Sequence, residues 1–236
     1  MIENIKIINI SKKIKKICIL NQLNFEIERG SVNAFIGENG AGKTTFMNII
    51  AGLDQNYSGL IIYDGQDIKE NDAKKILYFK TNAFFPLHLN LKNYIKQFYF
   101  FFNNKKIEEK ILTKYFEDFD LLDRKNINPN FLSSGQKKKV ILLLSKLINP
   151  DLLILDEPEA NLDPTSRLIL YKEVKKMANN GITIFISTHL ISEIQDYVDY
   201  AIFIKKGNLM WNGEINSENN LKNLYKRYVI ENEKSE

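Results

Sequence analysis

The sequence predicts an α/β fold: a mixed-sheet core that carries a glycine-rich turn, joined to an antiparallel β subdomain and interrupted by an inserted α-helical subdomain. Three observations predict it. A glycine-rich stretch at residues 37–45 follows an apolar run of strand type and opens an apolar-periodic helix. A second apolar run, Leu152-Leu153-Ile154-Leu155, ends in two carboxylates, the form of a buried parallel strand that delivers acids to its carboxyl end. Between them, from about residue 86 to 147, the pattern turns helical.

Residues 4–10 and 17–27 alternate or read as β-rich and predict an antiparallel sheet, with residues 59–63 joining them. The run Val32 to Ile36 is the strand before the glycine-rich turn, and Phe46, Ile49 and Ile50 mark the helix after it. Ile76-Leu77-Tyr78-Phe79 is the next strand. Leu91, Tyr94, Ile95, Phe98, Phe101 and Phe102 then recur at helical spacing, as do Ile107, Ile111, Tyr115 and Phe119. A third such run is Val140, Leu143, Leu144 and Leu147. Strands and helices alternate again over residues 152–155, 167–177, 182–186, 190–198 and 200–204. Lys206-Gly207-Asn208 signals a turn into a closing strand at Leu209-Met210-Trp211. Leu221, Leu224, Tyr225 and Tyr228 predict a short amphipathic helix before a frayed polar end. The division expected is a core of residues 1–85 and 148–213, a helical subdomain of 86–147, and a tail of 214–236.

Gly37-Glu38-Asn39-Gly40-Ala41-Gly42-Lys43-Thr44-Thr45 fits the pattern G-x-x-x-x-G-K-[ST] in its strand–turn–helix setting. Glycines let backbone wrap an anion, successive N–H groups form a nest, and the helix N-terminus adds partial positive charge. Lys43 then reaches the β- and γ-phosphates, and the Thr44 hydroxyl ligates Mg²⁺. Asp156 is expected to hold that ion through water, because Mg²⁺ keeps several waters and takes only one or two carboxylates. Glu157, one residue on, is the expected base that orients the attacking water.

Leu132-Ser133-Ser134-Gly135-Gln136, directly before a helix-like run, closely resembles the L-S-G-G-Q signature of the ATP-binding cassette (ABC) ATPases, which have a P-loop NTPase core. Ala160-Asn161-Leu162-Asp163 resembles that family's D-loop, and Ser187-Thr188-His189 its switch histidine. The resemblance runs from about residue 8 to residue 213. It implies that Ser133, Gly135 and Gln136 meet the γ-phosphate held by a second subunit, that Asp163 crosses the dimer interface, and that His189 contacts the γ-phosphate and positions Glu157. Read without the family, Ser133 or Ser134 is a helix N-cap. Three positions depart from the family pattern. Ile14 stands where an aromatic residue usually stacks on adenine, and offers no π-face. Lys80, Thr81 and Asn82 stand where a glutamine is usual, with Thr81 the nearest equivalent as a metal ligand through water. Ser134 replaces the first signature glycine.

The resemblance further implies an ATP-hydrolysing subunit that powers transport, with export of drugs, peptides or lipids the closest pattern, through separate transmembrane permease subunits. Its second ATPase subunit is a copy of itself or a related chain, and its place is peripheral, on the cytoplasmic face of the membrane. A degenerate cassette that uses ATP as a conformational switch, and a soluble non-transport ABC ATPase, are the alternatives. Composition fits: 236 residues, 44% hydrophobic and 26% charged, suffice for one α/β core with a subdomain. The single cysteine, Cys18, excludes an intramolecular disulfide and, lying in an apolar stretch, is expected to be an inert core thiol. The N-terminus carries an early acidic residue, Glu3, and no signal-type apolar region, and no run approaches the ~20 apolar residues a membrane span needs. The net charge of +4 is distributed, as in Lys137-Lys138-Lys139, and solvated faces account for most of it. No nucleic-acid partner is expected, since aromatic and basic residues are not interleaved in a binding module. Phe98-Tyr99-Phe100-Phe101-Phe102 is expected to pack in the core of the small helical subdomain; since it supplies more ring surface than one buried stripe needs, partial exposure as a docking face is the alternative.

Overall fold

The computed structural model describes residues 4–68, 75–81 and 84–230. Two sheets share one body. Strands β1 (Ile5–Ile14), β2 (Ile17–Ile27), β4 (Ser58–Tyr63) and β5 (Gln66–Asp67) form an antiparallel sheet in the order β2-β1-β4-β5. The larger sheet adds β3 (Val32–Ile36), β6 (Ile76–Phe79), β7 (Leu152–Asp156), β8 (Thr183–Thr188), β9 (Tyr200–Lys205) and β10 (Asn208–Glu214), in the order β10-β9-β3-β8-β7-β6. From β9 to β6 its strands run parallel, and β10 closes the edge antiparallel to β9.

The parallel strands are buried on both faces, so their residues alternate between two cores rather than between core and water. Val32, Ala34, Ile36, Leu153, Leu155, Ile184 and Ile186 face the helices, which are α2 (Leu91–Asn103), α3 (Glu109–Asp118), α4 (Ser134–Ile148) and α5 (Pro164–Asn179). The intervening Phe35, Leu152, Ile154 and Phe185 face the antiparallel sheet and α1 (Lys43–Ile50), which lies between the two sheets. There Phe25, Phe35, Phe46 and Phe185 pack with ring centroids 5.1 to 6.0 Å apart. Such offset ring pairs add to the area they bury.

The helical insertion holds α2 and α3 against α4 through Leu91, Ile95, Leu112, Phe116, Val140 and Leu144. Phe98 and Phe102 pack against this core, whereas Phe100 is half exposed and Phe101 is 80% exposed, so the expected core packing holds for only part of the aromatic run.

Three expectations are corrected. Cys18 is exposed, because it lies just past the β1–β2 turn, where a half-covered sheet shows alternate residues to water. Residues 190–198 form no single helix but a short α6 (Ile191–Ile194) and a 3₁₀ turn (Gln195–Tyr197), since only Ile191, Ile194 and Val198 find burial. Lys138 is not on a solvated face; it is 8% exposed. The helix expected in the tail is α7 (Leu221–Tyr225), continued by a π turn at Lys226–Ile230. Leu221, Leu224 and Val229 are buried in the main core. The expected frayed end, residues 231–236, lies outside the described residues.

Candidate functional site

The phosphate turn leaves the carboxyl end of β3 and enters α1. Gly42, just before α1, has φ +105°, and a Cβ there would stand 2.7 Å from Leu20 Cδ2 and 3.0 Å from the Ile19 carbonyl oxygen. Only glycine meets both demands. At Gly37 an added Cβ would lie 2.4 Å from the Ile204 carbonyl oxygen, so the turn is seated tightly on β9. The Ala41 N–H donates to the Glu38 carbonyl at 3.1 Å, and the Gly207 N–H donates to the Ala41 carbonyl at 3.1 Å. Glu38, Asn39, Gly40 and Thr44 are exposed, Thr45 is half-buried, and Ala41, Gly42 and Lys43 are buried.

Lys43 curls back over the turn, its ammonium donating to the carbonyls of Gly37 at 2.7 Å and Glu38 at 3.1 Å. Burial lowers its pKa, and the charges of Glu157 and Asp156 oppose that shift. Thr44 points across to β7, where its hydroxyl donates to Asp156 Oδ2 at 2.9 Å. The other carboxylate oxygen, Oδ1, accepts from the Ser187 hydroxyl at 2.6 Å. Ser187 in turn accepts from the Glu157 N–H at 2.9 Å, so one hydroxyl at the end of β8 fixes both acidic residues. Glu157 itself sits at φ +45°, an unusual conformation for a residue with a side chain. Its Oε1 lies 3.9 Å from Lys43 Nζ and 3.7 Å from His189 Nδ1. The Thr81 hydroxyl donates to the Asp156 carbonyl at 2.8 Å. The donor set of Thr44 and Asp156, oxygen only and at the mouth of the turn, suits a small hard cation such as Mg²⁺.

Lys43, Thr44, Thr81, Asp156, Glu157 and His189 therefore meet at the carboxyl ends of neighbouring parallel strands. Other expected residues stand apart from this group. Ser133 and Gln136 form a capping box at the start of α4: the Gln136 N–H donates to Ser133 Oγ at 3.2 Å and the Ser133 N–H to Gln136 Oε1 at 3.1 Å. That leaves the Ser133 hydroxyl proton and the Gln136 amide N–H groups free to donate to an anion, and Gly135 between them has open space at its Cα. Asp163 caps α5, accepting from the Ser166 N–H and hydroxyl, and these bonds hold its carboxyl below the usual range. Ile14 lies at the tip of the β1–β2 hairpin, opposite Ile17, and is 49% exposed. Asn82 lies outside the described residues.

Sequence reading missed a set of groups behind the acids. Glu159, 1% exposed, accepts from the Thr188 hydroxyl, and burial raises its pKa. Tyr78 is pushed up by burial beside Asp156. Nothing in residue type alone distinguishes Glu159 from the acids before it; its place in the short turn directly after the paired acids was the available signal.

Residues 20–160 match the family model described as ABC transporter. The chain is 32% identical over 235 residues to the lantibiotic transport ATP-binding protein SrtF of Streptococcus pyogenes, covering 96% of this chain and 97% of that protein. Among solved structures it is similar to the ATP-binding subunit of an ABC transporter, with a TM-score of 0.82, 24% identity, and 96% and 93% of the two chains covered. It is also similar to a dimeric ATP-binding cassette in a post-hydrolysis state bound to ADP and phosphate, with a TM-score of 0.79, 24% identity, and 90% and 99% covered. The likeness of fold joins a family match that spans the phosphate turn, the paired acids and the serine-capped helix: the chain belongs to the ABC transporter family, as an ATP-binding, ATP-hydrolysing subunit.

Proposed function

We propose that the chain powers export of a peptide or lipid-like cargo by hydrolysing ATP at a site it shares with a second cassette, and that separate membrane subunits carry the cargo. One observation carries the catalytic part: Glu157 Oε1 stands between the Lys43 ammonium and the His189 ring, on an acid pair braced by Ser187. In this reading the turn and Lys43 hold the β- and γ-phosphates, and Thr44 and Asp156 hold Mg²⁺, which when bound neutralises phosphate charge. Glu157 takes the proton of the attacking water, while the γ-phosphate passes in line to that oxygen and ADP leaves. His189 keeps Glu157 oriented and donates to the phosphate, a role for which one ring nitrogen faces the carboxylate at 3.7 Å.

The serine-capped start of α4, with Ser133, Gly135 and Gln136, closes over the phosphate of the partner cassette, and Asp163 lies at that interface. Residues 1–85 and 148–213 act as the catalytic core, 86–147 as the subdomain that meets the membrane subunits, and 214–236 as the tail. Among the described residues no helix is long and apolar enough to cross a membrane. In this reading, which family membership supports, the cassette works from the cytoplasmic face, docked on its permease partners. The peptide assignment leans on similarity to the lantibiotic transport protein, and export on the same likeness.

The deciding measurement uses Glu157→Gln. It is expected to bind ATP with near-native affinity, lose turnover by at least a hundredfold, and elute as a dimer when ATP is present. Turnover retained by this variant overturns the assignment of Glu157. Wild-type protein that binds but does not turn over ATP marks a conformational switch instead.

A further inference from the structure

We propose that Glu159 is a positioning residue for His189, acting through the Thr188 hydroxyl, and that Lys138 ties this support to the serine-capped helix α4. The inference rests on the hydrolytic reading of the site and adds to it a second tier behind the reacting groups.

Thr188 ends β8, immediately before His189. Its hydroxyl donates to Glu159 Oε1 and accepts from the Leu190 N–H at 3.0 Å. One rotor therefore holds the chain on both sides of the histidine. A hydroxyl has a single proton, so an acceptor at position 159 sets it in this direction and leaves a lone pair for Leu190, with the Tyr171 hydroxyl also close to it. Glu159 is itself fixed by a tight turn after β7, in which the Ala160 N–H donates to the Glu157 carbonyl at 3.1 Å and the Leu162 N–H to the Glu159 carbonyl at 3.2 Å. The support thus starts from the same turn that carries Glu157.

A carboxyl buried this deeply costs stability, and its second oxygen, Oε2, has no hydrogen-bond partner among the described residues. A group that serves packing alone has cheaper substitutes. Lys138 of α4 is likewise buried, and the charge of Glu159 opposes the lowering of its pKa by burial, as it also does for Lys43. Lys138 and Ser134 of α4 line a cleft of about 370 Å³ together with Thr81, Ala160 and Asn161, so α4 faces the turn that carries Glu159. Lys138 and Glu159 are not in ion-pair contact; their attraction acts across the cleft between α4 and the turn that carries Glu159. A shift of α4 changes the field at Glu159, and through Thr188 it changes the hold on His189.

The experiment compares full-length wild type with Glu159→Ala, Glu159→Gln, Thr188→Val and Lys138→Met, by steady-state ATP hydrolysis and by NMR of the two histidines in the nucleotide-free protein. Glu159→Ala is expected to lower kcat at least tenfold with KM for ATP within twofold. Glu159→Gln, which keeps an acceptor, is expected to recover to within threefold of wild type. The ring signals of His189 should move in Glu159→Ala, Thr188→Val and Lys138→Met, while those of His88 stay put. Unmoved His189 signals with native kcat in Glu159→Ala overturn the proposal, as does a rise in KM with kcat preserved. Unmoved signals in Lys138→Met overturn the link to α4. Should Glu159→Ala not fold, Thr188→Val carries the same test. A wild type without turnover would sink the hydrolytic reading, yet the His189 signals would still decide whether this support exists.

Discussion

At the scale of single residues, the site works by giving each charged group a neighbour that defines its direction. Lys43 is the clearest case, because burial disfavours its charge and lowers its pKa, and the acids around it oppose that shift in part. Lys43→Ala removes a charge-assisted contact of about 1.5–3 kcal/mol, so ATP affinity is expected to fall ten- to a hundredfold in equilibrium binding. Glu159 gives a pH signature. Its pKa stands above the ordinary 4.5 in the folded protein, so the native state holds that proton more tightly than the unfolded chain. Its stabilising contribution is present below pH 4.5 and is lost as pH rises through the raised value. Glu159→Gln should therefore gain stability over wild type progressively as pH rises from 4 to 8 in urea unfolding. The reacting residues were legible in the sequence because Lys43, Asp156, Glu157 and His189 sit in short ordered motifs. Glu159 and Lys138 were not, since what gives them meaning, the Thr188 hydroxyl for one and the cleft beside α4 for the other, is brought together only by the fold.

At the scale of elements, the turn and the caps fix where charge can be met. Gly42→Ala forces a side chain into a left-handed conformation against Leu20 and the Ile19 carbonyl. Loss of nucleotide binding with a lowered melting temperature is the expected outcome, measured by calorimetry. Ser133→Ala removes the cap of α4 and should cost about 1 kcal/mol of stability. It should also lower turnover more than that loss explains, because the same hydroxyl is assigned to a partner's phosphate. Strands Val32–Ile36 and Ile76–Phe79 were legible to the residue because their apolar runs are bounded by turn signals. The helical reading of 190–198 failed because its apolar residues are too few to cover one face of a longer helix, and the chain instead turns to deliver Tyr200 into β9.

At the scale of the whole molecule, the tail behaves as part of the core. Leu221, Leu224 and Val229 are buried there, and Trp211 stacks on Tyr228 at 6.3 Å. Removal of residues 221–236 exposes side chains worth about 1.5–3 kcal/mol each, so a marked drop in melting temperature is expected. A native melting curve for the truncated chain would show the tail to be dispensable. Sequence patterning revealed an amphipathic helix but not its docking site, because an apolar stripe does not name the surface that will cover it.

The block of Phe25, Phe35, Phe46 and Phe185 beneath the phosphate turn makes that lobe an anvil. Rings locked against one another on four different elements leave little slack, so a triphosphate landing above them meets a surface that does not yield. Nucleotide is then expected to slow amide hydrogen exchange less in this block than in α2, α3 and α4, a contrast that exchange with and without ATP would read.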